Sequence, residues 1–132
     1  MITALLIGTA CLFSAQPPDP FFEQSTLASH EDHHQHRWPC IAALDDSRLL
    51  LTWSQAAAKP SDDAVVYMTS SDHGRTWSEP APLIAKEDFI EADPNILVSG
   101  TRIFILCTSV NFEKGIRTST TWCVRSEDNA HT

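Results

Sequence analysis

Two stretches of this chain carry residue types and spacings that could support chemistry. The first is the histidine-rich segment HEDHHQH. Its candidate ligands are His30, Glu31, Asp32, His33, His34 and His36. Imidazoles and carboxylates are ligands for Zn²⁺ and Cu²⁺, but no further ligand follows at a fixed spacing. The segment therefore indicates adventitious ion binding at most, and the sequence predicts no structured metal site and no cofactor.

The second stretch, SSDHGRTW, begins at Ser70 and has the residues of a tight turn. Asp72 can accept hydrogen bonds from backbone N–H groups two or more residues further on. Gly74 supplies the positive φ that a tight hairpin needs. Ser70 and Thr76 can connect the two strand ends, and Trp77 offers a large apolar surface beneath the loop. Every residue type has a structural role, so the stretch predicts a turn.

The elements that would position such residues are short extended segments. From Arg37 onward, apolar runs alternate with turns rich in Gly, Asp, Ser and Pro. The runs are CIAAL, LLLTWS, AVVYMTSS, NILV, IFILCTS and STTWCVRS, with polar loops predicted at QAAAKPSDD and VNFEKGIRT. No stretch has the periodicity of a long amphipathic helix. The sequence predicts an all-β protein.

The strands repeat with a period of about 55 residues. Three pairs of landmarks share this spacing: Pro39 and Pro94, Arg48 and Arg102, and Ser70 and Ser126. A unit of this length with four short strands fits one blade of a β-propeller. About two blades are present, and two blades cannot close a ring. We therefore expect an incomplete propeller that is marginally stable by itself and belongs to a longer protein.

The pattern Ser-x-Asp-x-Gly-x-Thr-Trp resembles the Asp box of the sialidase superfamily. The match is complete at residues 70–77 and partial at residues 126–132, where SEDNAHT has Ala130 in the place of Gly74. The resemblance implies a six-bladed β-propeller of the sialidase type. In that fold each box is a hairpin on the outer rim, away from the active site. A structural role is therefore implied for Asp72.

The same resemblance points to Arg37 as a substrate-binding residue. Sialidases carry an Arg-x-Pro motif at the start of the first blade, and its Arg is one of three that bind the substrate carboxylate. The segment HRWP supplies the Arg and the Pro here. A planar guanidinium fits a carboxylate through two parallel hydrogen bonds. Trp38 stands where a smaller aliphatic residue is usual, and the alternative is an ordinary surface Arg before a strand.

Acidic residues complete the implied site. The sialidase acid/base lies in the loop between the second and third strands of the first blade, which here offers Asp62 and Asp63. A partly closed pocket would raise the pKa of such an Asp and let it protonate a glycosidic oxygen. EADPNI resembles the Asp-Pro segment that opens the next blade, which implies that Asp93 lies near the pocket with Glu91 beside it. The alternatives are solvated loop acids and a turn residue before Pro94.

The implied function is that of the N-terminal part of a secreted glycoside hydrolase of the exo-α-sialidase type, with carbohydrate, and sialylated glycans in particular, as its partner. The usual nucleophile of the family is a Tyr activated by a Glu. The single Tyr of the chain, Tyr67, lies inside the strand that leads into the box. The nucleophile and two further clamp arginines are therefore expected in later blades, and these residues alone should not turn over substrate. The alternatives are a non-catalytic propeller that binds glycans or proteins, and a different hydrolase or lyase on the same fold.

The N-terminal region predicts export. Residues 1–15 are uncharged and largely apolar, as in a secretory signal peptide, and the prolines that follow would end a helix. We expect a polar lead-in at residues 16–36, two blades at residues 37–132, and a secreted or periplasmic mature chain without a membrane span. The alternative is a buried first strand or helix. The net charge of −8, without a basic patch, argues against a nucleic-acid partner.

Three cysteines remain beyond the predicted signal, at positions 40, 107 and 123. An odd number does not make a complete disulfide framework. Cys107 and Cys123 both fall in strand-like segments. Two interpretations stay open for this pair, namely buried apolar residues or a disulfide between them.

Overall fold

The computed structural model describes residues 26–27, 35–45, 47–56, 63–113 and 115–130. The predicted signal peptide, most of the predicted lead-in and Asp62 lie outside these residues. Within the described part the chain is all-β and contains no helix, which confirms the predicted fold class. Accordingly, no helix there could cross a membrane.

Seven strands form two antiparallel sheets. The first sheet has the order β1-β2-β3-β4 and the second has the order β5-β6-β7. Their bounds are β1 Gln35–Ala43, β2 Leu49–Ala56, β3 Ala64–Ser70, β4 Ala81–Ala85, β5 Ile90–Ser99, β6 Arg102–Glu113 and β7 Ile116–Ser126. Each sheet is a meander in which consecutive strands pair, as expected for propeller blades. The two sheets do not close into a ring, and the prediction of an incomplete propeller is confirmed.

The core lies between the two sheets and is built from alternate residues of their central strands. Side chains in a strand point alternately to the two faces, so every second residue of β2 and of β6 reaches the same layer. The buried members are Leu50 of β2, Ile103 and Ile105 of β6, and Leu44, which directly follows β1. Tyr67 packs against this cluster. The apolar runs that predicted β2 and β6 are thus the runs that join the sheets.

The opposite face of the first sheet carries a second apolar cluster. Its buried members are Trp53, Ala64, Val66 and Met68. Leu51 and Trp77 pack against them, so the Trp of the first Asp box contributes to this cluster. A sheet with apolar residues on both faces is suited to lie between two other layers, which is the situation of a propeller blade.

Both sheets have a β-bulge in their first strand, at equivalent positions of the repeat. In β1 the pairing register shifts between Arg37 and Cys40, and in β5 it shifts between Ala92 and Asn95. Inside each bulge a residue with positive φ precedes a proline. This residue is Trp38 in β1, with a φ of +52°, and Asp93 in β5, with a φ of +53°. A bulge bends the strand and redirects local side chains, which is why bulges often occur next to functional sites.

The β6–β7 connection corrects a sequence prediction. VNFEKGIRT was expected to be a polar loop, but most of it is paired, because β6 continues to Glu113 and β7 begins at Ile116. Gly115 has a φ of +80°, which permits a very short turn between the two strands. The hairpin extends three residue pairs beyond Val110, the last residue of β6 that pairs with β5.

The disulfide interpretation of the cysteines is also wrong, because the two residues lie on opposite faces of the second sheet. Cys107 is opposite Trp122 and is buried, whereas Cys123 is opposite Leu106 and is exposed. Opposite residues of an antiparallel pair share a face and neighbours in sequence do not. Burial raises the pKa of the Cys107 thiol to about 11, as expected for a small apolar core residue.

Candidate functional site

Strand pairing places the predicted site residues at one end of the two sheets. Arg37 of β1 lies opposite Ser54 of β2, and Ser54 lies opposite Val65 of β3. Asp63 directly precedes β3 and is therefore near the same end. The hydroxyl of Ser54 donates a hydrogen bond to the backbone carbonyl of Glu91 in β5, which brings the second sheet to this end as well. These residues are up to 54 positions apart in the sequence, the distance from Arg37 to Glu91.

Arg37 is partly buried, and its guanidinium is already held in place. Its Nε donates to the side-chain oxygen of Gln35 over 2.9 Å, and Nη2 donates to the same oxygen. The guanidinium carbon lies 5.8 Å from the ring centroid of Trp38. A guanidinium fixed on one side by an amide and an indole loses less freedom when its remaining N–H groups bind an anion.

The acidic residues fall into two environments. Asp63 is buried, with 4% of its surface exposed, although the sequence placed it in a polar loop. Asp93 is exposed and stands in the β5 bulge with a φ of +53°. The side-chain amide of Asn95 donates to the backbone carbonyl of Asp93 over 3.0 Å, which stabilises the bulge. Asp63 is thus a buried acid of the first sheet, and Asp93 is an exposed acid of the second.

Glu91 is the most buried acid of the described residues, with no exposed surface. Its Oε2 accepts a hydrogen bond from the hydroxyl of Ser109 over 2.6 Å, while its Oε1 has no partner. Burial raises the pKa of Glu91, and the nearby charge of Asp63 raises it further, against the opposing effects of Ser109 and Lys86. A carboxyl in such surroundings retains its proton to higher pH than an exposed Glu.

Ser109 connects Glu91 to an aromatic residue that the sequence did not single out. The indole N–H of Trp122 donates to the Ser109 hydroxyl over 2.8 Å. Lys86 places its ammonium 3.1 Å from the centroid of the Trp122 ring. We call Lys86, Glu91, Ser109 and Trp122 the seam network. The only sequence signal for it was a serine at the end of the apolar run IFILCTS, where an apolar residue would continue the core pattern.

The Asp box at residues 70–77 is closed by its own side chains. The Ser70 hydroxyl donates to Asp72 over 2.9 Å and accepts from the backbone N–H of Gly74 over 2.8 Å. Asp72 accepts from the backbone N–H of Thr76 over 2.8 Å and from its hydroxyl over 2.7 Å. The indole N–H of Trp77 donates to the Gly74 carbonyl over 3.0 Å. The hydrogen bonds from Thr76, with a smaller contribution from Ser70, lower the pKa of Asp72 to about 2, so this carboxyl is a poor proton donor near neutral pH.

The second box repeats the first half of this arrangement. The Ser126 hydroxyl donates to Asp128 over 2.7 Å and accepts from the backbone N–H of Ala130 over 2.9 Å. Asn129 then connects the two sheets, since its side-chain amide donates to the Leu44 carbonyl over 3.4 Å. Arg48 of the first sheet donates to the Asn129 carbonyl over 3.2 Å. The box therefore acts as a contact between neighbouring blades, at the end of the sheets away from Arg37.

The residue at the Gly74 position decides the strain in each box. Gly74 has a φ of +82°, and Ala130 has a φ of +58°, a region that L-residues with a Cβ adopt at a cost. Replacing Ala130 with Gly is expected to raise the free energy of unfolding by about 1 kcal/mol, because the strain is relieved. Gly74→Ala should lower it by about 1–2 kcal/mol, since its new Cβ would also lie 3.2 Å from Leu49 Cδ1. Urea unfolding of both variants measures the two changes in the free energy of unfolding. Changes in the same direction for the two variants would contradict a role for positive φ in the strain.

The histidine-rich segment gives no metal centre among the described residues. No group of three metal-binding side chains occurs there. His30, His33 and His34 lie outside the described part. His36 lies beside Trp53, with ring centroids 5.9 Å apart.

Comparison with known proteins adds one positive result. A search of curated proteins gave no match. The family model of the BNR repeat-like domain matches residues 16–132, which is most of the chain. This match agrees with the two Asp boxes and with the two meander sheets of an open propeller. On these grounds the chain belongs to the BNR repeat-like family, in agreement with its resemblance to the sialidase superfamily.

Proposed function

We propose that this chain supplies the first two blades of a sialidase-like glycoside hydrolase that binds sugars carrying a carboxylate, such as sialylated glycans. The observation that carries the proposal is the state of Arg37, a half-buried residue whose guanidinium is held by Gln35 at the strand end beside the acidic residues. In this role Arg37 pairs with the sugar carboxylate through two parallel hydrogen bonds.

Two acids have complementary roles in this proposal. Asp62 or Asp63 acts as the general acid that protonates the glycosidic oxygen, since Asp63 directly precedes β3, near the end of the sheet that holds Arg37, and Asp62 is its neighbour in the sequence. Asp93 binds polar groups of the sugar from the bulge of β5, where it is exposed. Tyr67 is packed against the core between the sheets and is not a nucleophile. The described residues thus account for recognition and proton donation, and the nucleophile would come from further blades.

Ligand-observed NMR on the chain, with 3′-sialyllactose and lactose as paired ligands, tests the recognition step. We expect saturation transfer to sialyllactose and little to lactose, because the two sugars differ in the carboxylate-bearing residue. Arg37→Ala should weaken sialyllactose binding by about tenfold or more, as expected when a charged hydrogen-bonded pair loses one partner. Arg102→Ala makes the same change of charge at the opposite end of the second sheet and should have no effect. Equal binding of both sugars, or full binding by Arg37→Ala, would refute the proposal.

A non-catalytic glycan-binding propeller is the second candidate, because the fold and the guanidinium of Arg37 would serve recognition without a nucleophile. Asp62→Asn and Asp63→Asn separate the two functions in the complete protein. In a hydrolase, the variant that lacks the general acid should lose about 10²–10⁴-fold in turnover of a fluorogenic sialoside while binding persists. In a binding protein there is no turnover to lose, and both variants should bind as the wild type does.

A further inference from the structure

We infer that the indole of Trp38 is a stacking surface for the sugar ring whose carboxylate Arg37 binds. This inference rests on the proposed function and adds a specificity-determining residue to it. Trp38 follows Arg37 directly and is 47% exposed, which is unusual for so large an aromatic side chain. Three properties of Trp38 support this role: its strained backbone, the different residue at the equivalent position of the second sheet, and its contact with the guanidinium of Arg37.

The backbone of Trp38 is strained. Its φ of +52° lies in the left-handed region, which is a genuine outlier for a bulky residue. It also precedes Pro39, and a residue before proline is normally confined to extended conformations. Strain of this kind persists where the surrounding structure imposes it, and it clusters at binding and active sites.

The equivalent bulge of the second sheet separates the effect of the backbone conformation from that of the Trp38 side chain. Asp93 occupies the same place in the β5 bulge, with a φ of +53° before Pro94. The bulge itself is therefore a feature of the repeat and explains the positive φ. Asp tolerates the left-handed region better than most residues, whereas Trp has no such tolerance. A Trp in this position costs stability in the first blade, and its exposure means that the described core gains little from it.

The position of the indole relative to Arg37 defines the ligand. The guanidinium carbon lies over the indole, 5.8 Å from the ring centroid, so the charged group faces one side of the ring and the ligand would stack on the opposite side. A pyranose with a carboxylate offers the matching pair, namely an anionic group and a face of C–H bonds. Burial of that face against an indole is favourable and orients the ring, while the guanidinium fixes the carboxylate.

Two substitutions of Trp38, measured for both binding and stability, test the inference. Trp38→Asn should weaken 3′-sialyllactose binding by about three- to tenfold, the range expected for loss of one aromatic contact. The same variant should melt at a higher temperature than the wild type, because Asn accommodates positive φ. Trp38→Phe should retain most of the binding. A residue with a merely structural role would lower the melting temperature when truncated.

The outcomes distinguish this inference from the proposed function. If Arg37→Ala loses binding and Trp38→Asn binds as well as the wild type, the proposed function stands and the role of Trp38 is refuted. If Trp38→Asn loses binding and melts at a lower temperature, Trp38 is a packing residue and the inference is likewise refuted. If the wild-type chain does not distinguish sialyllactose from lactose, both proposals fail.

Discussion

Replacing Ser109 with Ala is expected to lower the free energy of unfolding by about 1–3 kcal/mol. The hydroxyl of Ser109 is fully buried, donates to Glu91 and accepts from Trp122. Removal of this one oxygen leaves the buried carboxyl of Glu91 without its hydrogen-bond donor and the part-buried indole N–H of Trp122 without its acceptor. An unsatisfied buried group costs about 1–3 kcal/mol, and this cost falls on Glu91, since the N–H of the partly exposed Trp122 loses less.

Urea unfolding followed by tryptophan fluorescence measures this effect. Ser119→Ala is the matched control, because Ser119 lies on the exposed strand β7 and the same atoms are removed there. We expect the control to stay within about 0.5 kcal/mol of the wild type. Equal losses in the two variants would show that the hydroxyl of Ser109 is not the link between Glu91 and Trp122.

Replacing Glu91 with Gln is expected to reverse the stability ranking between acidic and alkaline pH. Burial raises the pKa of Glu91 in the folded chain above its ordinary value, so the folded state binds the proton more tightly than the unfolded state does. The stabilisation from this group is complete below the unfolded pKa and is lost as the pH rises through the folded pKa. Gln cannot ionise, and its carbonyl can still accept the hydrogen bond from Ser109. The variant should therefore equal or fall below the wild type in acid and exceed it in alkali.

The difference in free energy of unfolding between wild type and Glu91→Gln, measured from about pH 4 to about pH 9, isolates this group. Asp63 and Lys86 also act on Glu91, and both side chains are present in the two proteins being compared. Glu79→Gln, which makes the same change at an exposed carboxyl, is the control over the same range. A flat difference for Glu91→Gln as well would mean that the folded and unfolded chains bind the Glu91 proton equally, and it would contradict a raised pKa for Glu91.

The seam network lies beside the proposed sugar site, so substitutions in the network should also affect sugar binding. The backbone carbonyl of Glu91 accepts the hydrogen bond from Ser54, and Ser54 is the strand partner of Arg37. Asp93 follows Glu91 by two residues in β5. Loss of the network would therefore loosen the contact that holds the two halves of the proposed sugar site together. Sugar binding and stability should fall together in Ser109→Ala, whereas Arg37→Ala should affect binding alone.

The Asp box and the repeat could be predicted because their determinants are local. Ser70, Asp72, Gly74 and Thr76 contact one another across two to four residues, so their types and spacing alone specify the hydrogen bonds. The second copy, from Ser126 onward, sets the blade length in the same way. The all-β class followed from apolar runs whose length and composition are independent of what they later pack against.

The sequence by itself determined the all-β class, most of the strands, the Asp-box turn and the repeat, because each depends on contacts within one or two neighbouring strands, whereas β4 at Ala81–Ala85 was not predicted. Only the tertiary structure decided that Glu91, Ser109 and Trp122 form one network and that Asp63 is buried near Glu91. It also decided that Cys107 and Cys123 face opposite sides and that β6 and β7 continue through the expected loop. These features depend on strand register and on the approach of two sheets. A shift of one residue in register would reverse every facing, and the residue types on either side do not encode that choice locally.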